Sequence, residues 1–356
     1  MIFTERSVVY GVFDKILTKG TENKMNIKKL LYFAPPKITA RVIALVLALI
    51  LALASARIVH GLINNEDGTE SEIPSVNGQV NVEKENEEEK KKTELICDGA
   101  LTVGTVINGR GAILCDFSES TVIAQKGINE ILPLGDATAF MVALTVSKAI
   151  GDSRVSLTDE AVCPASAAKL PSYSLSSQIL PIGKRMQIAD ILRCMLYQSG
   201  ASFAYTLAIH ISGSEENFVT EMNAYASALG LDCRFLGCTG DSNGTVSPYD
   251  LAVIIKHFYA DNLLRNIICS EDMVTVGYGQ SQSVQLVVKN EFFQSYCTPS
   301  QAKNDGILGG KVGESDYSRW ACVFFSRNEK VYFALVLDSK DAFSDALMLY
   351  SAYVPY

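Results

Sequence analysis

Pro133-Leu134-Gly135-Asp136-Ala137-Thr138-Ala139-Phe140-Met141-Val142-Ala143-Leu144 is the stretch whose reading decides the fold. A glycine, then an aspartate, then a nearly unbroken apolar run marks the start of a long buried helix. The Asp136 carboxylate is placed to accept hydrogen bonds from the unpaired N–H groups of the first turn, as an N-cap. Residues three apart share a helix face, so Asp136 and Ala139 look out on the same side. A carboxylate and a methyl group there supply neither an activated nucleophile nor a base; Asp136 as a covalent nucleophile would have no adjacent base.

Four later segments extend the pattern. Ser199-Gly200-Ala201-Ser202-Phe203-Ala204 closes a Leu192–Gln198 helix, about sixty residues beyond Asp136. Gly309-Gly310-Lys311-Val312-Gly313-Glu314-Ser315 stands near the C-terminus. Gly213-Ser214-Glu215-Glu216-Asn217-Phe218-Val219-Thr220-Glu221-Met222-Asn223, with Ala226–Leu231, and Ser247-Pro248-Tyr249-Asp250-Leu251-Ala252 lie between them. With these segments the chain resembles the penicillin-binding D-alanyl-D-alanine carboxypeptidases (peptidase S11, serine β-lactamase-like fold) from about Leu101 to Tyr353. The resemblance implies an α/β fold: an antiparallel sheet built from N- and C-terminal strands and flanked by helices, plus a helical subdomain.

The family writes its first motif Pro-x-Ala-Ser-x-x-Lys, its second Ser-Gly-Asn and its third Lys-Thr-Gly. Carried over residue by residue, Asp136 stands in place of the nucleophilic serine and Ala139 in place of the lysine base. Ser199 keeps the second-motif serine, while Ala201 replaces the substrate-holding amide. Lys311 and Gly313 keep the third-motif cation and glycine, while Val312 replaces the carboxylate-binding hydroxyl. The same carry-over places Lys311 near Asp136 and Ser199, and predicts that Asp136 and Lys311 approach within about 4–6 Å as opposite charges. Pro164-Ala165-Ser166-Ala167-Ala168-Lys169-Leu170 matches Ser-x-x-Lys literally. Pro171 would break a helix begun there in its second turn, so Ser166 and Lys169 are read as a chance match in a surface loop, with an alternative acylation site as the competing reading.

The 356 residues are 48% hydrophobic with a net charge of −8, enough for one large domain with appendages. The acidic balance, without a basic stripe, argues against a nucleic-acid partner. Residues 1–41 are rich in Lys and Arg and precede an apolar segment, 42–63; the positive-inside tendency leaves the N-terminus cytoplasmic and exports the rest of the chain. That segment reads as a single-pass membrane anchor, or as a signal peptide ending at Ala54-Ser55-Ala56. Residues 64–94 are polar and charged, with the run Glu83–Lys92, and read as a flexible spacer. The carboxypeptidase-like domain then occupies 95–356.

Two hairpins are expected, one from Leu101–Asn108 and Ala112–Asp116 about Asn108-Gly109-Arg110-Gly111, the other from Trp320–Ser326 and Val331–Asp338 about Arg327-Asn328-Glu329-Lys330. Asp341–Tyr353 should cover the sheet as a helix. Nine cysteines without framework spacing read as mostly buried free thiols, a Cys233–Cys238 bridge being the one pairing considered. His60, His210 and His257 have no ligand spacing, so neither a metal nor a cofactor is expected. The functional expectation is a catalytically inactive carboxypeptidase homologue at the cell membrane, binding peptidoglycan stem peptides or cell-envelope proteins. The alternative is an active serine-type D-Ala-D-Ala carboxypeptidase with an atypical site.

Overall fold

The computed structural model describes residues 94–171, 179–241, 244–278, 284–314 and 318–354. The basic segment, the apolar segment and all of the spacer except Glu94 lie outside the described residues. No helix among the described residues is long and apolar enough to cross a membrane.

The centre is a six-stranded sheet in the order β1-β3-β2-β12-β11-β10, from β1 (Leu101–Thr102), β2 (Gly111–Asp116), β3 (Thr121–Lys126), β10 (Ile307–Glu314), β11 (Arg319–Arg327) and β12 (Lys330–Leu337). Residues 320–325 of β11 are all buried, as expected of a central strand covered on both faces. β11 and β12 form the predicted hairpin. Asn328 and Glu329 both take positive φ, 51° and 63°, which matches the twist of a two-residue hairpin turn.

The other expected hairpin does not form. β1 pairs instead with β3, in parallel, and β2 turns into β3 through residues 117–120. The cause is a long-range carboxylate. Asp345 Oδ2 accepts from the backbone N–H groups of Asn108 and Gly109, both at 2.9 Å, and from Ser339 Oγ at 2.6 Å. With their donors drawn to a fully buried side chain, residues 108–109 cannot close a turn on themselves. The true turn is set locally by Asp116, whose Oδ1 accepts from Ser118 and Glu119 N–H at 2.9 and 3.1 Å, a side-chain mimic of a backbone turn.

Helices cover both faces of the sheet. On one lie α1 (Thr138–Gly151) and α5 (Pro248–Ala260), where Phe140 meets Phe258 edge to face at 4.9 Å and Tyr259 stacks on Phe324 at 4.4 Å. The other face carries the C-terminal helix α8 (Ala342–Tyr353), whose Tyr350 stacks on Phe325 at 3.8 Å. Between β3 and β10 the chain builds the helical subdomain from α2 (Ile188–Tyr197), α3 (Ala201–Ser212) and α4 (Glu215–Ala228). The described residues also form short helices α6 (Asn262–Ile268) and α7 (Pro299–Asp305) and the two-stranded pairs β4 (Leu132–Pro133)/β7 (Thr245–Val246), β5 (Glu160–Val162)/β6 (Arg185–Gln187) and β8 (Met273–Tyr278)/β9 (Val284–Lys289).

All nine cysteines are free, so Cys233 and Cys238 are not bridged. The Cys238 thiol instead lies 3.4 Å from Glu215 Oε1.

Replacing Asp345 by Ala leaves two backbone donors and a hydroxyl unpaired in the interior. Each lost partner of a buried polar group costs about 1–3 kcal/mol, so Asp345→Ala should lower the unfolding free energy by about 3 kcal/mol or more in urea denaturation. A change below about 0.5 kcal/mol would mean that the loop does not depend on this carboxylate.

Candidate functional site

β4 delivers the chain into a tight turn at Gly135–Ala137, where Gly135 takes φ 54°, and α1 starts directly after it. Asp136 therefore sits inside the turn, one residue before the N-cap position, which Ala137 occupies without a side-chain cap. The expected N-cap bond is not made. Thr138 Oγ1 closes the turn by donating to Gly135 O at 2.7 Å, and the Asp136 carboxylate is left to look across the groove. There Oδ1 accepts from the indole Nε1 of Trp320 at 2.6 Å.

Trp320 is fully buried, rests edge to face on Phe140 at 5.7 Å, and pairs across the sheet with Gly313. That register makes Gly313 a steric requirement. A Cβ there would stand 2.1 Å from both Asp136 Oδ1 and Trp320 Nε1. Gly240 closes the other side, its missing Cβ lying 3.0 Å from the Asp136 backbone N and Cβ. Ala139, one turn along α1, is half-buried and offers only its methyl group.

Lys311, beside Gly313 on β10, is 4% exposed. Its Nζ donates to Ser199 Oγ at 3.1 Å and to Leu196 O at 3.3 Å, both at the end of α2. Burial lowers its pKa below the ordinary value, and the negative charges of Asp136 and then Glu291 partly oppose that. No salt bridge joins Asp136 to Lys311 among the described residues; the carboxylate acts on the ammonium through space while bonded to the indole. Ser199 is exposed. Tyr296 adds a hydroxyl near the same place, its pKa raised by burial and by Glu291, Glu314 and Asp136.

The remaining motif positions carry no reactive group. Ala201 is the half-buried first residue of α3. Val312 packs against the apolar layer beneath α8, which gives an aliphatic side chain a place there. Ser166 and Lys169 lie in a short helical turn at Ala165–Lys169, Ser166 half-buried and Lys169 exposed, with no hydrogen bond between them. Neither is a partner of the Lys311 amine. Among the described residues no cluster of His, Cys, Asp or Glu is arranged to hold a metal ion.

Residues 101–313, more than half of the chain, match the family model for D-alanyl-D-alanine carboxypeptidase. The chain is 29% identical over 224 residues to D-alanyl-D-alanine carboxypeptidase DacF of Bacillus subtilis, covering 62% of this chain and 55% of that protein. It is 30% identical over 128 residues to DacC of Escherichia coli, covering 35% and 32%. The chain thus spans about a third to just over half of the length of these relatives. Among solved structures, a D-alanyl-D-alanine carboxypeptidase of Mycobacterium tuberculosis superposes with a TM-score of 0.59 at 19% identity, covering 72% of this chain and 94% of that one. A single-residue variant of the Streptomyces K15 DD-transpeptidase superposes with a TM-score of 0.61 at 20% identity, covering 69% and 98%. These likenesses agree with the six-stranded sheet, its covering helices and the helical subdomain.

Trp320 is the single tryptophan of the chain, so intrinsic emission reads the site directly. Asp136→Ala leaves a buried indole N–H unpaired and should cost about 1–3 kcal/mol of stability, with a shifted emission maximum. Gly313→Ala should shift it too, by forcing the ring and the carboxylate apart, whereas Asp136→Asn keeps an acceptor and should change it least. An unchanged spectrum in both Asp136→Ala and Gly313→Ala would disprove the contact.

Proposed function

The chain belongs to the D-alanyl-D-alanine carboxypeptidase family, and we propose that it is a member without acyl-transfer activity that keeps its groove as a binding or scaffolding surface in peptidoglycan maturation. The observation that carries this reading is the occupied nucleophile position. Asp136 is not only chemically wrong for acyl transfer; it is bonded to Trp320 and closely flanked by Gly240 and Gly313, which supports a fixed structural role for this side chain in place of attack on an acyl group. Nucleophilic catalysis needs a group activated by a neighbouring base, and Ala139 supplies none. The basic residues 1–41 and the apolar residues 42–63 support a single-pass membrane location with the domain outside the cytoplasm, or secretion if the apolar segment is cleaved. Peptidoglycan stem peptides or cell-envelope proteins are the partners this location favours.

One contact favours a second reading. Ser199 Oγ and Lys311 Nζ are 3.1 Å apart and burial lowers the pKa of the lysine, a hydroxyl beside an amine being the pairing a serine nucleophile needs. In that reading the chain is an active serine-type D-Ala-D-Ala carboxypeptidase that uses the second-motif serine. The amide and hydroxyl missing at Ala201 and Val312 weigh against it, because a substrate carboxylate would find fewer donors.

A fluorescent penicillin separates the two readings. The full chain should remain unlabelled and release no D-Ala from a stem-peptide mimic; a covalent label on Ser199, abolished by Ser199→Ala, would establish the active alternative. The double variant Asp136→Ser, Ala139→Lys should also stay at least about a hundredfold below an ordinary family enzyme, since Ala201 and Val312 are unchanged. Near-normal turnover in that variant would show that those two positions do not limit the reaction.

A further inference from the structure

A cleft of about 390 Å³ opens at the far end of α1 from Asp136, where the C-terminal end of that helix meets α4 and the end of α5. Its polar lining is Ser147, Lys148, Asp152, Tyr225, His257 and Asp261. The charges are already matched within the fold: Lys148 pairs with Asp152 at 2.7 Å, and Asp261 accepts from Ser147 Oγ while its other oxygen caps α6 through Leu263 N at 2.8 Å. Burial lowers the pKa of His257, which favours the neutral imidazole. Two helix C-termini carry partial negative charge, and with the carboxylates of Asp152 and Asp261 they disfavour an anionic ligand. The lining is left as a dense set of acceptors and donors without a free cation, beside the half-buried ring of Tyr225, whose hydroxyl has no hydrogen-bond partner among the described residues.

We propose that this cleft is a binding site for a neutral saccharide of one to two rings. Sugar hydroxyls both donate and accept, which suits a lining of carboxylates, hydroxyls, an ammonium and an imidazole. The ring of Tyr225 offers an apolar face with a polar tip, which suits the amphipathic face of a pyranose. The volume falls in the range of small-molecule sites. Gly151, the last residue of α1, leaves the space above it open: a Cβ built there meets nothing within 4 Å. The site stands apart from the motif groove, so it would give the domain a hold on a glycan while the groove is engaged elsewhere.

The test titrates the full chain with N,N′-diacetylchitobiose and with cellobiose, reading saturation-transfer NMR. Gly151→Trp fills the cleft from an exposed position at ordinary backbone geometry and should abolish binding. Tyr225→Phe removes only the hydroxyl and should weaken it severalfold, which keeps the question answerable if the tryptophan variant fails to fold. Binding of either disaccharide that is lost in a folded Gly151→Trp, or weakened in Tyr225→Phe where the tryptophan variant does not fold, supports the site. Binding of neither sugar overturns it, as does binding undiminished in a folded Gly151→Trp, whatever Tyr225→Phe shows, or undiminished in Tyr225→Phe where the tryptophan variant does not fold. The outcome is independent of penicillin labelling, so this inference and the proposed loss of acyl transfer fail separately.

Discussion

The hydrogen bond from the Trp320 indole to the Asp136 carboxylate is the constraint around which the groove is arranged. It joins the turn that starts α1 to the middle of the sheet, across a separation of 184 residues. Its geometry demands glycine at 313, opposite the tryptophan, because any side chain there would lie in the path of the bond. The bond also fixes Asp136 as an acceptor facing an N–H donor, which gives a carboxylate at this position a structural role. A charge-assisted bond of this kind is worth more than a neutral one, and behind the indole Phe140 packs edge to face, with Phe258 edge to face on Phe140 in turn.

Lys311 shows the cost of keeping a cation beside that arrangement. A desolvated ammonium without a direct counter-ion costs several kcal/mol, and removing a partner from such a group costs more than the pairing gained. Two acceptors at the end of α2 offset part of this, and Asp136 supplies the largest of the through-space attractions. The cation therefore ties the helical subdomain to the edge of the sheet, giving it a structural role that does not depend on chemistry at Asp136.

Local signals in the sequence were legible wherever a feature was made by neighbours. The Asn328-Glu329 turn lies between two apolar runs, and the helix expected over Asp341–Tyr353 forms as Ala342–Tyr353. The order of the motifs along the chain also put Lys311 and Ser199 together, and the two are in hydrogen-bond contact. The features that stayed hidden were set by pairs far apart in sequence. Nothing near Asp136 announces Trp320, and the N-cap reading of Asp136 failed because a tight turn precedes the helix and moves the cap to Ala137. Asn108-Gly109 has the composition of a hairpin turn, yet Asp345 takes its donors from the other end of the chain.

That last clamp also orders events in time. Asn108 and Gly109 wait for a carboxylate 237 and 236 residues downstream, and β2 waits for β12, its neighbour in the sheet. Contacts of such long range are slow to form because the loop must close before they reward it. Until β12 is in place, the edge of β2 that it covers has no partner in the sheet. The sheet is completed by β11 and β12 and clamped through Asp345 on α8, so removing α8 would undo the beginning of the domain as much as its end.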